Sequence, residues 1–231
     1  MEATAAHIQF QFDRTRHAAP QVFEHMREQI ISMALTPGTV LSRTDLAARY
    51  GISQTPVRDA LMRLSEEGLV DIFPQHATVV SPISIALARQ AHFLRRSVEV
   101  EIVRTLAGAP DAALAERLRQ MVARQQALLP APDFAEFAQL DLAFHRQMYD
   151  AAQVPDLWLL VRRQSGHLDR LRRLHLPIPG KAGAVVADHA AIVDAIARGD
   201  VDEAQASLRR HLSGTLANLE EIRGRYGDYL E

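Results

Sequence analysis

Four residues with metal-ligand chemistry recur on three apolar stripes. Asp141 and His145 fall among Phe134, Phe137, Phe144 and Met148. His189 falls among Val185, Ile192, Val193 and Ile196, and His211 among Ala204, Leu208, Thr215, Leu219 and Ile222. Residues three, four and seven apart share a helix face, so the spacing predicts that all four polar groups point inward. A buried carboxylate and three buried imidazoles are costly unless something pairs them. A divalent cation would satisfy all four at once. Three nitrogens and one oxygen suit zinc first, then nickel, manganese or iron, and leave room for water or a ligand. A lone inward histidine is more commonly a hydrogen-bonded core group, and Asp and His four apart can pair with each other. Spacing alone therefore leaves metal binding and internal pairing both open.

Composition narrows the chemistry. There is no cysteine, so any metal must be held by His and carboxylates. The 231 residues, 48% of them hydrophobic, suit two domains with real cores. No run of eighteen apolar residues exists, so no membrane-spanning helix is expected. Met1 to Arg16 lacks a signal-peptide core, which predicts a cytoplasmic protein. Charge does not advertise a nucleic-acid partner: residues 1–80 carry seven Arg against nine Asp and Glu. Any binding to DNA must rest on a local patch. The basic residues are Arg with one exception, Lys181, and Arg suits forked contacts to carboxylate or phosphate.

The elements that position these groups follow from periodicity and punctuation. Residues 1–19 are unpatterned and read as a flexible tail. A helix is predicted from about Pro20 to Leu35, ended by Thr36-Pro37-Gly38. Ser42 caps a short second helix that Gly51 closes. Ser53 caps a third, Gln54 to about Glu67, with Pro56 in its first turn and Gly68 after it. This pair is a helix-turn-helix, whose second helix enters the DNA major groove. Leu69–Phe73 and Thr78–Val80 read as strands joined by Pro74-Gln75-His76-Ala77, which makes the unit, residues 20–81, a winged helix. From residue 84 to 231 only helices are predicted: 84–107, 111–129, 133–151, 156–175, 181–198 and 201–225. The fold class is thus mainly α, an N-terminal winged helix-turn-helix followed by an all-α antiparallel bundle.

These residues resemble a known family. Thr36-Pro37-Gly38, Leu41-Ser42, Asp45-Leu46-Ala47, Thr55-Pro56-Val57-Arg58-Asp59-Ala60-Leu61 and Glu67-Gly68-Leu69-Val70 are similar to the winged-helix domain of GntR-family transcriptional regulators. Asp141 with Phe144-His145, Asp188-His189 with Ile192, Ala195-Ile196 with Gly199-Asp200, Ala204 and His211-Leu212 resemble the FCD effector-binding domain of the FadR branch. The resemblance implies a homodimeric, non-enzymatic regulator of double-stranded operator DNA. It implies a helical domain that binds a small organic acid at a divalent metal, here held by Asp141, His145, His189 and His211.

It also implies roles for other positions. Arg58 matches the recognition-helix arginine; an ordinary salt bridge to Asp59 is its structural alternative. Ser53 and Thr55 are placed to donate to phosphates at the helix N-terminus. Gln75 and His76 sit at the wing tip. Arg43-Thr44 and Gln54 stand where many relatives have Glu-Arg and Arg, and Ala77 replaces the usual wing Gly. Gln54 can read adenine, and fewer cations flatten the salt dependence of binding. Arg95 matches an arginine that faces the effector cavity, with a salt bridge to Glu99 as its alternative. Gln164 and His167 share the apolar face of helix 156–175 and are candidates to line the same effector cavity, with satisfied inter-helix polar groups as the alternative, while Arg162, Arg163, Arg172 and Arg173 are assigned to a solvated face. Two rival readings keep the same ligands: a metal-dependent hydrolase activating water, which lacks an evident general base, and a regulator with a purely structural metal.

Overall fold

The structure is a computed structural model and describes residues 10–74 and 76–231. The chain divides after Pro82 into two compact units, each with its own core.

The N-terminal unit holds α1 (Ala18–Ile31), α2 (Arg43–Tyr50), α3 (Gln54–Glu66), β1 (Val70–Phe73) and β2 (Ala77–Val80). Val22, Met26 and Ile30 of α1 meet Val57, Leu61 and Leu64 of α3 in a dry core. Ser42 Oγ accepts from the Asp45 N–H and caps α2. Gly51, at φ +65°, ends it in the left-handed region that costs an L side chain about 1 kcal/mol or more. Three expectations fail here. First, α1 stops at Ile31 rather than Leu35, because Met33 turns the chain at φ +66° and the Leu35 N–H closes onto Gln29 O. Second, Ser53 stands at the N-cap of α3 without hydrogen-bonding the helix. Third, residues 10–19 are not a tail. Phe10 packs edge-on against Phe12 and Tyr50, and Gln21 ties α1 to the Asp13 backbone. Residues 1–9 lie outside the described residues.

The wing is an antiparallel hairpin in which Val70 faces Val80 and Phe73 faces Ala77. The segment after Gly38 widens it: Val80 donates to Thr39 O, and Leu41 donates to Thr78 O.

The C-terminal unit is helical: α4 (Ile85–Gly108), α5 (Ala112–Ala127), α6 (Phe134–Ala151), α7 (Pro155–Gln164), α8 (Gly166–His175), α9 (Lys181–Arg198), α10 (Val201–Ala217) and α11 (Leu219–Tyr226). Asp111, Asp133 and Asp200 side chains accept from first-turn N–H groups and set where α5, α6 and α10 begin. Two long predicted helices are each broken in two by a similar device. Ser165 Oγ donates to Val161 O, four residues back, and separates α7 from α8. Asn218 Nδ2 donates to Gly214 O and separates α10 from α11. Such bonds often bend a helix, although those of Ser97, Thr105 and Ser213 leave α4 and α10 continuous. The core gathers Ile102, Leu118, Phe137, Phe144, Tyr149, Val193, Ile196 and Leu208. α10 packs on α4 and α9, α5 on α6 and α9, and α8 on α4.

Candidate metal centre and nucleic-acid interface

Inside the bundle, α6, α9 and α10 bring Asp141, His145, His189 and His211 together. All four are buried, and one ligand atom from each lies within 4.8 Å of the others. His145 Nε2 is 3.2 Å and His189 Nε2 3.3 Å from His211 Nε2, and Asp141 Oδ1 is 3.6 Å from His189 Nε2. Ligands about 2.0–2.1 Å from a zinc ion, at tetrahedral angles, stand about 3.3 Å apart.

The outer ring nitrogens explain why the inner ones converge. His189 Nδ1 is hydrogen-bonded to Gln125 Oε1 of α5 at 2.8 Å. His145 Nδ1 lies 2.9 Å from Glu99 Oε2 of α4, and His211 Nδ1 3.7 Å from Asp188 Oδ2. The acceptor beside His189 and the carboxylate beside His145 favour a proton on Nδ1 and a lone pair on Nε2, whereas Asp188, at 3.7 Å, is too far to fix the tautomer of His211. Three imidazole nitrogens and a carboxylate oxygen then face one another. That donor set fits a cation, and outer partners of this kind orient ligating imidazoles.

The electrostatics agree. Burial pushes Asp141 up, but Arg172 and the three imidazoles outweigh it and hold the carboxyl well below its ordinary value. Burial, then the neighbouring His211, holds His189 well below the usual imidazole range. Burial lowers His211 to about 4 against the pull of Asp188. Burial pushes Glu99 up, yet Arg95 and His145 together keep it ionised. Phe144 stacks on His189 with centroids 4.0 Å apart and holds the ring plane.

A cleft lies beside Asp141. Leu142, Trp158 and Val161 form its apolar wall; Arg95, Arg162, Ser165, Asp169 and Arg172 form its polar one. Arg95 is buried, lines this cleft and also makes the anticipated pair with Glu99 at 2.8 Å. Gln164 is exposed at the last residue of α7 and is not among the lining residues. His167 is buried but points elsewhere: its Nδ1 accepts from the Ser84 N–H at 3.0 Å. Arg162 and Arg172 are not a solvated face. Arg172 is bonded to Asp141 and Asp169, and Arg162 to Asp169. The helix is interrupted at Ser165, and α7 buries Val161 alone while α8 buries residues on most of its surface, a change that a continuous helix 156–175 conceals. Arg163 remains exposed, while Arg173 donates to Phe134 O at 2.5 Å. Gln125 was missed, although it continues the buried stripe Leu114, Leu118, Val122.

In the N-terminal unit, Arg43, Thr44, Ser53, Gln54, Thr55, Arg58 and His76 are all exposed. Gln75 lies outside the described residues. Arg43 and Thr44 open α2; Ser53, Gln54 and Thr55 form the N-terminal end of α3, where unpaired N–H groups favour anions. Gln54 Nε2 donates to Thr44 Oγ1 at 3.3 Å, which links the two helix starts. Arg58 pairs with Asp59 at 3.1 Å. Both partners are exposed, and such pairs are weak enough for a phosphate to displace.

Two family descriptions match the chain: "Bacterial regulatory proteins, gntR family" over residues 18–80 and "FCD domain" over residues 90–214. A Streptomyces ambofaciens protein named as an HTH-type transcriptional regulator in an unstable DNA locus is 37% identical over 202 residues, 87% of this chain and 85% of that one. The HTH-type transcriptional repressor RspR of Escherichia coli is 25% identical over 222 residues, 96% of this chain and 97% of the repressor. Among solved structures, E. coli McbR/YncC aligns with a TM-score of 0.75 at 19% identity, covering 89% of this chain and 98% of that one. A GntR-type regulator from a Rhodococcus species aligns at 0.71 and 21% identity, over 90% and 98%. At those identities the structures speak for the fold alone. The two family matches and the 37% identity over most of both chains, on a winged helix joined to a helical domain with a buried Asp/His group that could hold a metal, place the chain in the GntR family of bacterial DNA-binding transcriptional regulators.

Proposed function

We propose that the chain is a ligand-responsive regulator whose affinity for operator DNA is set by a small carboxylic acid bound beside a metal ion. Asp141, His145, His189 and His211 would hold the ion, zinc being the best match. The metal would supply a Lewis-acidic anchor for a carboxylate. The carrying observation is the convergence of three buried imidazole nitrogens and a buried carboxylate oxygen. Arg95 on the wall of the neighbouring cleft supports an anionic ligand. Arg58, Ser53, Thr55, Gln54, Arg43, Thr44 and His76 form the DNA-facing surface, with α3 in the major groove. The regulator acts as a homodimer in the cytoplasm, so that two winged helices meet two half-sites. No helix among the described residues is long and apolar enough to cross a membrane.

The ligand moves the DNA equilibrium only through its different affinities for the two states. The test joins elemental analysis of purified protein with a gel shift on DNA flanking its own gene. Stoichiometric metal and an acid-dependent shift in operator affinity are expected. Metal-free protein that responds to acids as well as loaded protein does would leave the ion a structural role and overturn the sensing centre.

A further inference from the structure

The cleft beside Asp141 is closed by its own ion pairs. Asp169, in the first turn of α8, bonds Arg162 through Oδ2 and Arg172 through Oδ1, the latter at 3.3 Å. Arg172 reaches on to Asp141, and Arg95 pairs with Glu99. The space left is about 10 Å³, room for the centre of roughly one water.

Two things follow. The cluster contains three arginines and three carboxylates, and none of the six is exposed. These six charges balance among themselves, and Lys181 and Asp188 beside them add one charge of each sign before any ion enters. A divalent cation on the Asp141 set adds two positive charges, since ligating imidazoles are neutral. Unbalanced charge is expensive in a buried site. A dianion restores the balance, whereas a monoanion leaves half of it unanswered. Asp169, moreover, stands on two guanidinium groups as a ligand carboxylate would. One guanidinium, that of Arg172, touches Asp169 and Asp141 together. The metal position and the Asp169 position are therefore a short molecule apart.

We propose that Asp169 closes the cleft as a built-in carboxylate, and that the effector that opens it is a short dicarboxylate. One end is directed to the cation held by the Asp/His set; the other replaces Asp169 on Arg162 and Arg172. Displaced, Asp169 stays in the first turn of α8, where the helix dipole favours its charge. This rests on the sensor reading above.

The test is calorimetric titration of zinc-loaded full-length protein with malonate and succinate, against acetate and butyrate, at constant ionic strength. The dicarboxylates are expected to bind at least about tenfold tighter than the monocarboxylates. Asp169→Asn should tighten succinate further, because the internal competitor is gone. Arg162→Gln should weaken succinate about tenfold and leave acetate within about twofold. Acetate binding as tightly as succinate would overturn the proposal, and so would Asp169→Asn leaving succinate unchanged or weaker. Should Asp169→Asn not fold, as judged by circular dichroism, Arg162→Gln decides alone. Protein that binds zinc but none of the four acids would bring down the sensor reading itself, an outcome distinct from acids that bind without regard to charge.

Discussion

Glu99→Gln separates the two jobs assigned to one buried carboxylate. Glu99 is fully buried; Oε1 accepts from Arg95 Nε at 2.8 Å and from Tyr149 Oη at 3.3 Å, and Oε2 faces His145 Nδ1 at 2.9 Å. The substitution keeps shape and volume and removes the charge. Breaking a buried ion pair costs about 3–5 kcal/mol. The amide oxygen still accepts from Arg95, and a hydrogen bond to a charged group recovers part of that, about 1.5–3 kcal/mol. The net expectation for metal-free protein is a loss of about 2 kcal/mol, read from urea unfolding in chelator. The second effect is on the ion. Without the carboxylate nothing fixes the His145 proton on Nδ1, so its lone pair no longer faces inward in every molecule. Losing such an outer partner costs about 10–100-fold in metal affinity, or about 1.4–2.7 kcal/mol. Competition against a zinc chelator measures it. Unchanged zinc affinity beside a clear stability loss would show that Glu99 is only the counter-ion of Arg95, and the tautomer argument would fail.

Further outcomes follow from the same geometry. In metal-free protein, stability should be flat between about pH 7 and 8 and fall as pH drops from 6.5 towards 4. His175, His189 and His211 are all held below their unfolded value by burial, so the unfolded chain takes up protons that the folded one refuses. For His211 alone, a drop from 6.5 to about 4 corresponds to about 3 kcal/mol at roughly 1.4 kcal/mol per unit. Urea midpoints across that range check it, and His175→Gln should flatten the slope. Arg58→Ala should weaken operator binding about tenfold and reduce the salt slope by about one; full affinity in a gel shift would remove Arg58 from the interface. Phe12→Ala should cost about 1 kcal/mol by urea unfolding, from its ring contacts with Phe10 and Tyr50. No change would return residues 10–19 to the status of a tail.

Much of this architecture is local and was therefore readable in order along the chain. Ser42 with Gly51, the exposed face of α3, and the polar groups on the stripes of α6, α9 and α10 depend on spacing within one segment. Helical periodicity carries that information directly. What faces each stripe depends on how helices distant in sequence pack. Glu99 stands 46 positions before His145, and Gln125 64 before His189, and no periodicity relates them. The breaks at Ser165 and Asn218 escaped for a related reason: a hydroxyl or amide bonded to a carbonyl four residues back leaves no mark on the apolar pattern. Arg172 of α8 meets Asp141 and Asp169, and Gln164 at the end of α7 is exposed. Residue types and spacing determined that a carboxylate and three imidazoles lie in the interior; only the packing of α4, α5 and α8 around them decided which carboxylates, amide and guanidinium groups surround that set.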